Sequence, residues 1–322
     1  MQEKLVNILN AMAEVLTIPQ MKRLQEVLID NLCEGETKKI TISNEEYLRM
    51  FLEAKRIEGC SERTTQYYRV TIEKMLDSIE TPIRKVTTEE IRGYLAKYQE
   101  DNNCGKVTVD NIRRNISSFF SWMEEEDYIL KSPMKRIHKI KAPTQVKEII
   151  SDEAIETLRD HCSCKRDLAM IDLLYSTGIR VGELVNLDRE DIDFEKRECV
   201  VFGKGSKERR VYFDAKAKIH LRDYLKSRTD DNEALFVTLD APYDRLKISG
   251  VEIRIRGLGR RVNLNKVHPH KFRRTMATRA IDKGMPIEQV QKILGHSQID
   301  TTMQYAIVNQ NNLKASHQRY IA

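Results

Sequence analysis

His270-Lys271-Phe272-Arg273-Arg274-Thr275-Met276-Ala277-Thr278, continued through Leu294-Gly295-His296-Ser297 to Tyr305, is the stretch on which the reading of this chain turns. His270 and Arg273 stand three residues apart, so a helix projects both from one face. Asp282-Lys283-Gly284-Met285-Pro286 halts that helix, and Pro286 suits the first turn of the next, where a missing N–H costs nothing. The second helix is expected from Ile287 to Leu294 and stops at Gly295, a residue fitted to the left-handed cap, which leaves His296 just past the end. Asp300-Thr301-Thr302 then reads as another helix start, carrying Tyr305 one turn in. Singly, a histidine or tyrosine on a helix packs or hydrogen-bonds and does no chemistry. Together these residues set a nucleophile among cations. A tyrosine attacks poorly at neutral pH because its ordinary pKa is about 10, but neighbouring cations favour the phenolate and also hold a phosphate.

The rest of the chain is compatible with such a partner. At 322 residues it is long enough for two domains, and its formal charge of +6 permits a polyanion without requiring one. The six cysteines (33, 60, 104, 162, 164 and 199) form no C-x-x-C pair. Cys162-Ser163-Cys164 beside His161 has the wrong spacing for zinc and no second ligand pair follows, so reduced thiols and no metal are expected. No basic start leads into an apolar core and no apolar run is long enough to span a membrane, so the expected place is the cytoplasm.

Apolar residues recur at helical spacing from Met1 to about Asn31, interrupted at Pro19, which predicts a helical hairpin within an N-terminal extension, 1–40. Acids balance bases there, which favours packing or protein contact over DNA. Four helices are predicted between Thr41 and Ile137, opened by Ser43, Ser61 and Thr87, with the fourth over Val107–Met123. Val109, Ile112, Ile116, Phe119, Phe120 and Met123 fall on one side of that helix, Asn111 and Arg114 on the other. Thr64, Gln66, Arg69, Asn111 and Arg114 are candidates for DNA contact, cations to phosphate and amides to base edges, against the alternative of a solvated face. Lys131-Ser132-Pro133-Met134-Lys135-Arg136-Ile137-His138-Lys139-Ile140-Lys141-Ala142-Pro143 holds five cations in its stretch from Lys135 outward and at its start, and no acid. It predicts an extended connector across a phosphate backbone, with Lys139 and Lys141 as contacts and a domain boundary near Pro143.

The second domain, 144–322, opens with a helix at Ser151-Asp152-Glu153 and a buried-looking helix that breaks at Thr177-Gly178. Arg180-Val181-Gly182-Glu183-Leu184 follows, with Glu183 one turn from Arg180. Glu198–Phe202 and Arg209–Phe213 read as strands of a hairpin whose tip, Gly203-Lys204-Gly205-Ser206-Lys207-Glu208, is basic and lacks the phosphate-loop pattern of nucleotide sites. A helix from Asp214, a short strand or its remnant at Ala234–Thr238, and a basic segment from Ser249 to Arg261 complete the domain. The expected fold is mainly α with a small β-hairpin or sheet in the second domain (α+β).

H-x-x-R, then L-G-H-S, then a tyrosine after D-T-T, together with T-G-I-R-V-G-E-L at 177–184 and G-K-G-x-K-E-R at 203–209, resembles the tyrosine recombinase (phage integrase) family. The resemblance implies a site-specific DNA recombinase working through a 3′-phosphotyrosyl intermediate, without metal, ATP or other cofactor. It implies catalytic roles for Tyr305, Arg180, Lys204, His270, Arg273 and His296, a supporting role for Glu183 behind Arg180, and backbone contacts from Lys207 and Arg209. It implies a two-domain clamp on DNA in which 41–143 is the core-binding DNA-binding domain, and that the partners are double-stranded recombination sites and a tetramer of the chain. Accessory DNA-bending proteins are left unspecified. In relatives the segment after the tyrosine packs on a neighbouring protomer, the alternative being a loose terminus. Phe272 and Arg274 depart from the residues many relatives carry, which leaves Arg274 as a rival to Arg273 and His268 as a rival to His270. The competing functional readings are a DNA-binding regulator that kept the fold and lost activity, and a relaxing topoisomerase.

Overall fold

The computed structural model describes residues 2–32, 42–141, 148–203, 208–264 and 266–306. Lys204, Lys207 and the tail from Ile307 lie outside the described residues. The chain divides into two compact units, Met1–Thr144 and Gln145–Ala322.

The first unit contains α1 (Gln2–Met12), α2 (Ile18–Leu32), α3 (Asn44–Ile57), α4 (Glu62–Ser78), α5 (Thr88–Asp101) and α6 (Lys106–Glu125). Ser43, Ser61 and Thr87 each accept a hydrogen bond from the backbone N–H three residues on, satisfying a donor that a first helical turn leaves orphaned. At Thr87 the Glu90 carboxylate accepts the Thr87 N–H in return at 2.7 Å, completing a capping box. The predicted apolar stripe of α6 is buried along its whole length and meets Phe51 and Leu52 of α3 and Ile72 and Met75 of α4 in one core. Phe51 stands edge-on to Phe119 at 5.3 Å between ring centres, a favourable aromatic geometry.

The connector is not the extended strap its charge suggests. Pro133–Arg136 forms a tight turn whose Met134 is buried, and Ile137 and Ile140 pack against the same core. The Asp110 carboxylate fixes the segment that follows by accepting the Ile140 N–H at 2.9 Å, and it also accepts the Arg113 Nε–H at 2.8 Å. Three apolar side chains spaced among the cations dominate, because each buried one is worth more than a solvated charge can oppose. Lys139 and Lys141 nonetheless remain exposed.

The second unit contains α7 (Asp152–Asp160), α8 (Lys165–Thr177), α9 (Val181–Asn186), β1 (Ile192–Asp193), β2 (Glu198–Phe202), β3 (Glu208–Tyr212), α10 (Ala215–Lys226), α11 (Ile248–Arg261), α12 (Pro269–Asp282), α13 (Ile287–Leu294) and α14 (Asp300–Met303). The sheet is antiparallel in the order β1-β2-β3, with Val201 opposite Arg209 and Glu198 opposite Tyr212. The fold is thus mainly helical with a small sheet, as expected, and β1 adds a strand too short to be read from sequence. Ala234–Val237 is buried and bridges to Asp188 and Arg245 without joining the sheet. Among the described residues no helix is long and apolar enough to cross a membrane.

α8 is the centre of this unit. Ala169, Met170, Ile171, Leu173 and Leu174 are fully enclosed, and the charges it carries inward are paired. Asp172 accepts from Arg159 Nε at 2.6 Å and meets His220, and Arg166 donates to Asp167 and to the Val237 carbonyl. The helix ends at Gly178, whose φ of +63 is left-handed and whose absent Cβ would meet Met276 Cε at 2.2 Å. Gly178→Ala is therefore expected to destabilise the chain by about 1–2 kcal/mol from backbone strain alone, with the Met276 contact adding to it. Urea unfolding checks this: a lower midpoint at unchanged slope is expected, and an unchanged midpoint would contradict it.

Candidate active site

The residues singled out in the second unit come together where helices start and stop. Arg180 is not on a helix but at the cap of α9, with φ −75 and ψ 151, and its backbone N–H donates to Glu183 Oε2 at 2.7 Å. Its guanidinium turns back to Glu183 Oε1 at 2.8 Å. Leu184 and Leu187 are buried beneath and hold the turn in the core.

Glu183 has a second partner that sequence reasoning assigned elsewhere. Arg209, expected on the DNA backbone, is turned inward: Nη1 donates to Glu183 Oε1 and Nη2 to Oε2, both at 2.7 Å, and its side chain is 12% exposed. The carboxylate thereby accepts four hydrogen bonds, as many as its lone pairs provide. Burial pushes its pKa up, but the hydrogen bonds from Arg209 and Arg180 outweigh that and leave it below the usual value. The cause is local: Arg209 pairs with the buried Val201 near the tip of the hairpin, and the buried Glu183 carboxylate lies within reach of its guanidinium.

The last turn of α13 is the second meeting point. Three successive carbonyls each accept from a different arginine: Ile293 from Arg209 Nε at 2.9 Å, Leu294 from Arg273 Nη2 at 2.6 Å, and Gly295 from Arg180 Nη2 at 3.2 Å. A helix end leaves such carbonyls unpaired and partly negative, so guanidiniums suit them twice over. Gly295 caps the helix with φ +63, as its position predicted.

Arg273 is 1% exposed and also donates to the Gly178 carbonyl at 2.7 Å. Burial and then Arg180 push its pKa down to about 10, which leaves it cationic at neutral pH. Its rival Arg274 donates to the Glu148 carbonyl at 3.1 Å and makes none of the contacts to the end of α13 that Arg273 makes, although it lies within electrostatic reach of Tyr305. Arg273 Nη2 lies 2.9 Å from His296 Nε2. Since a guanidinium can only donate, Nε2 accepts; Nδ1 then carries the proton and donates to Thr302 Oγ1 at 2.9 Å. Burial, then Arg273 and Arg180, push the His296 pKa down to about 4, so the ring is neutral at pH 7. Thr302, fully buried, is a site residue that the D-T-T motif contained and that was read only as a helix signal.

Tyr305 follows α14 rather than sitting within it, and it is 3% exposed. Its ring stacks on His296 at 6.1 Å and packs with Ala277, Val290 and Leu294. His270 is exposed in the first turn of α12, close enough to His296 to lower its pKa, and parallel to His268 at 6.5 Å. A cavity of about 570 Å³ opens beside it, lined by Arg256, Arg260, Lys266, His268 and His270. Its arginines are the outward side of the basic segment noted after Ser249. Among the described residues no cluster of His, Cys, Asp or Glu could hold a metal.

In the first unit Gln66, Asn111 and Arg114 are exposed, whereas Thr64 is half-buried and bonded to Ser61, and Arg69 lies 3.6 Å from Glu73. An Asn115–Thr71 hydrogen bond of 3.0 Å ties α6 to α4 between their polar sides.

Comparison with known proteins follows the same division. The sequence pattern of the phage integrase family matches residues 143–312, and that of the phage integrase N-terminal SAM-like domain matches residues 47–130. A tyrosine recombinase XerC of Oceanobacillus iheyensis is 31% identical over 290 residues, covering 85% of this chain and 95% of that protein. The Tn1549 transposon integrase, solved in complex with transposon right end DNA, superposes with a TM-score of 0.71 at 20% identity, over 86% of this chain and 99% of that one. The XerH site-specific recombinase bound to its palindromic difH substrate gives 0.68 at 17% identity, over 99% and 95%.

The depressed His296 pKa carries a testable sign. Between pH 6.5 and 4 the unfolded chain binds a proton that folded His296 refuses, so stability present above pH 6.5 is lost as pH falls. His296→Gln keeps an acceptor for Arg273 and removes the titration. Its urea midpoint is expected to fall less steeply than the parent's between pH 6.5 and 4.5, and equal slopes would refute the assignment.

Proposed function

This chain belongs to the phage integrase family of site-specific tyrosine recombinases, and from that premise we propose that Tyr305 Oη attacks a DNA phosphodiester held between Arg180 and Arg273. The attack displaces a 5′-hydroxyl and leaves a 3′-phosphotyrosyl bond; the 5′-hydroxyl of a partner strand reverses it. One phosphodiester is exchanged for another, so no ATP is consumed. The observation that carries this reading is the convergence of Arg180, Arg273 and His296 on the end of α13, with the Tyr305 ring stacked on His296.

Each part has a stated task. Arg180, with 40% of its side chain exposed, meets the nonbridging oxygens from the rim, while Arg273 supplies charge from below. His296 stays neutral and orients Arg273 through Nε2, reaching the phosphate through that guanidinium. His270, exposed and nearby, takes the tyrosine proton. Lys204 protonates the leaving 5′-oxygen, a role that rests on the family motif alone. Glu183 keeps Arg180 in place. The cations already supply the positive charge a metal would bring, so no metal is assigned.

The partner is double-stranded DNA carrying recombination sites, in the cytoplasm. Residues 41–143 bind it through Gln66, Asn111 and Arg114, with Thr64, Arg69, Lys139 and Lys141 beside them, and four protomers assemble on two duplexes. The cavity lined by Arg256, Arg260 and Lys266 takes neighbouring phosphates. A silent DNA-binding regulator is not favoured, since the described catalytic positions all hold groups able to do this chemistry.

Tyr305→Phe is expected to abolish covalent attachment to a labelled 3′-phosphate while leaving binding to a single site unchanged, because the cations remain. An adduct formed by the Phe variant would move the nucleophile elsewhere. Arg180→Ala is expected to slow cleavage on the order of 100-fold or more. Excess chelator is expected to leave cleavage intact; loss restored by magnesium alone would overturn the metal-free chemistry.

A further inference from the structure

Arg209 has a geometry that neither solvent exposure nor DNA contact explains. All three guanidinium nitrogens are directed inward, Nη1 and Nη2 onto Glu183 and Nε onto the Ile293 carbonyl. Its stem lies across Gly295, where a Cβ would meet Arg209 Cδ at 2.9 Å and Nε at 3.0 Å. The glycine thus serves two demands, a left-handed φ and room for an arginine.

We propose that Arg209 is a positioning residue for strand cleavage: it locks Glu183 and the end of α13 into one rigid unit, so that Arg180 and His296 hold their places around the phosphate. The chain of contacts is short. Without Arg209, the Glu183 carboxylate loses two of its four hydrogen bonds and keeps only the two from Arg180 itself, so the acceptor that orients the Arg180 guanidinium is no longer held from a second side. The Ile293 carbonyl loses its donor one residue before the one that meets Arg273. Misplacement by about 1 Å is enough to cost on the order of 100-fold in rate. β3 is also fastened to α9 and α13 by this one side chain. Arg209 touches no reacting atom in this account, which rests on the proposed roles of Arg180 and Tyr305.

The test separates positioning from phosphate contact and from loss of folding. Arg209→Ala, Arg209→Lys, Glu183→Gln and the Ala/Gln double variant are compared with the parent on a single-site duplex, by affinity across a salt series and by single-turnover adduct formation at saturating protein. Arg209→Ala is expected to keep the parent's affinity and salt slope within twofold and to form adduct about 10- to 100-fold more slowly. The double variant is expected to be little slower than Glu183→Gln, because both changes break the same link. A direct phosphate contact would instead weaken binding and reduce the salt slope by about one, with saturated cleavage unchanged; that result overturns the proposal, as does full additivity in the double variant. Should the Ala variant not fold, Arg209→Lys decides alone: it keeps charge and stem but not the fork, and parental cleavage by it would overturn the proposal. Absence of adduct in the parent would refute the Tyr305 reading, and the salt slope would still report whether Arg209 touches DNA.

Discussion

Three guanidiniums on three consecutive carbonyls at the end of α13 are the interaction on which the chemistry proposed for the second unit depends. Bringing Arg180, Arg209 and Arg273 together costs energy through like-charge repulsion and, for Arg273, through burial. Two features offset the cost. The helix end offers partial negative charge along the axis, and Glu183 offers a full one, saturated by four hydrogen bonds. What is left is a surplus of positive charge with its geometry already fixed. An anion entering between Arg180 and Arg273 meets donors that need little reorganisation, which is the condition under which electrostatic stabilisation of a transition state is largest.

Burial divides the labour among these residues. Arg273 is wholly enclosed, its orientation set by the Gly178 and Leu294 carbonyls and by His296. Arg180 is held by Glu183 at Nη1 and by the Gly295 carbonyl at Nη2, with 40% of its side chain exposed at the rim. A neutral His296 fits beside Arg273 because a further charge there would be buried and repelled, and burial first, then repulsion from Arg273 and Arg180, lower its pKa. Thr302 completes the arrangement by accepting the Nδ1 proton, which fixes the tautomer and places the one-turn α14 beside the site. The position of Tyr305 three residues later follows from that bond together with the small apolar cluster around Val290 and Leu294.

Most of this was legible because the site is built at helix boundaries, and boundaries leave strong local signals. Gly178, Gly295, Pro286 and the run Asp282–Pro286 mark stops and starts by backbone requirement, so the motif residues next to them could be placed without tertiary information. Arg209 and Thr302 were not legible in the same way. An arginine after a basic hairpin tip is indistinguishable, by composition, from a phosphate contact; only the partner 26 positions earlier in the chain reveals its direction. The connector differs for a related reason: net charge is counted over all residues, while this segment is held by the packing of Met134, Ile137 and Ile140 and by the Asp110 carboxylate on the Ile140 N–H. β1 is two residues long and carries no periodicity to detect.

The two glycine turns explain why the site occupies helix ends rather than helix faces. Gly178 and Gly295 both have φ +63, and each turn presents a carbonyl that the helix before it cannot satisfy. The Gly178 carbonyl is met by Arg273, whose own helix lies beside α8; the Gly295 carbonyl is met by Arg180, two residues beyond Gly178. The two turns are therefore cross-braced, each supplying an acceptor for the arginine associated with the other. Arg273 itself projects from α12, and it is the carbonyls at the ends of the two neighbouring helices that orient it; without them a solvated arginine would sample many rotamers before meeting a phosphate. The left-handed glycines cost chain entropy on folding and return it as orientation of the charges that the proposed chemistry requires.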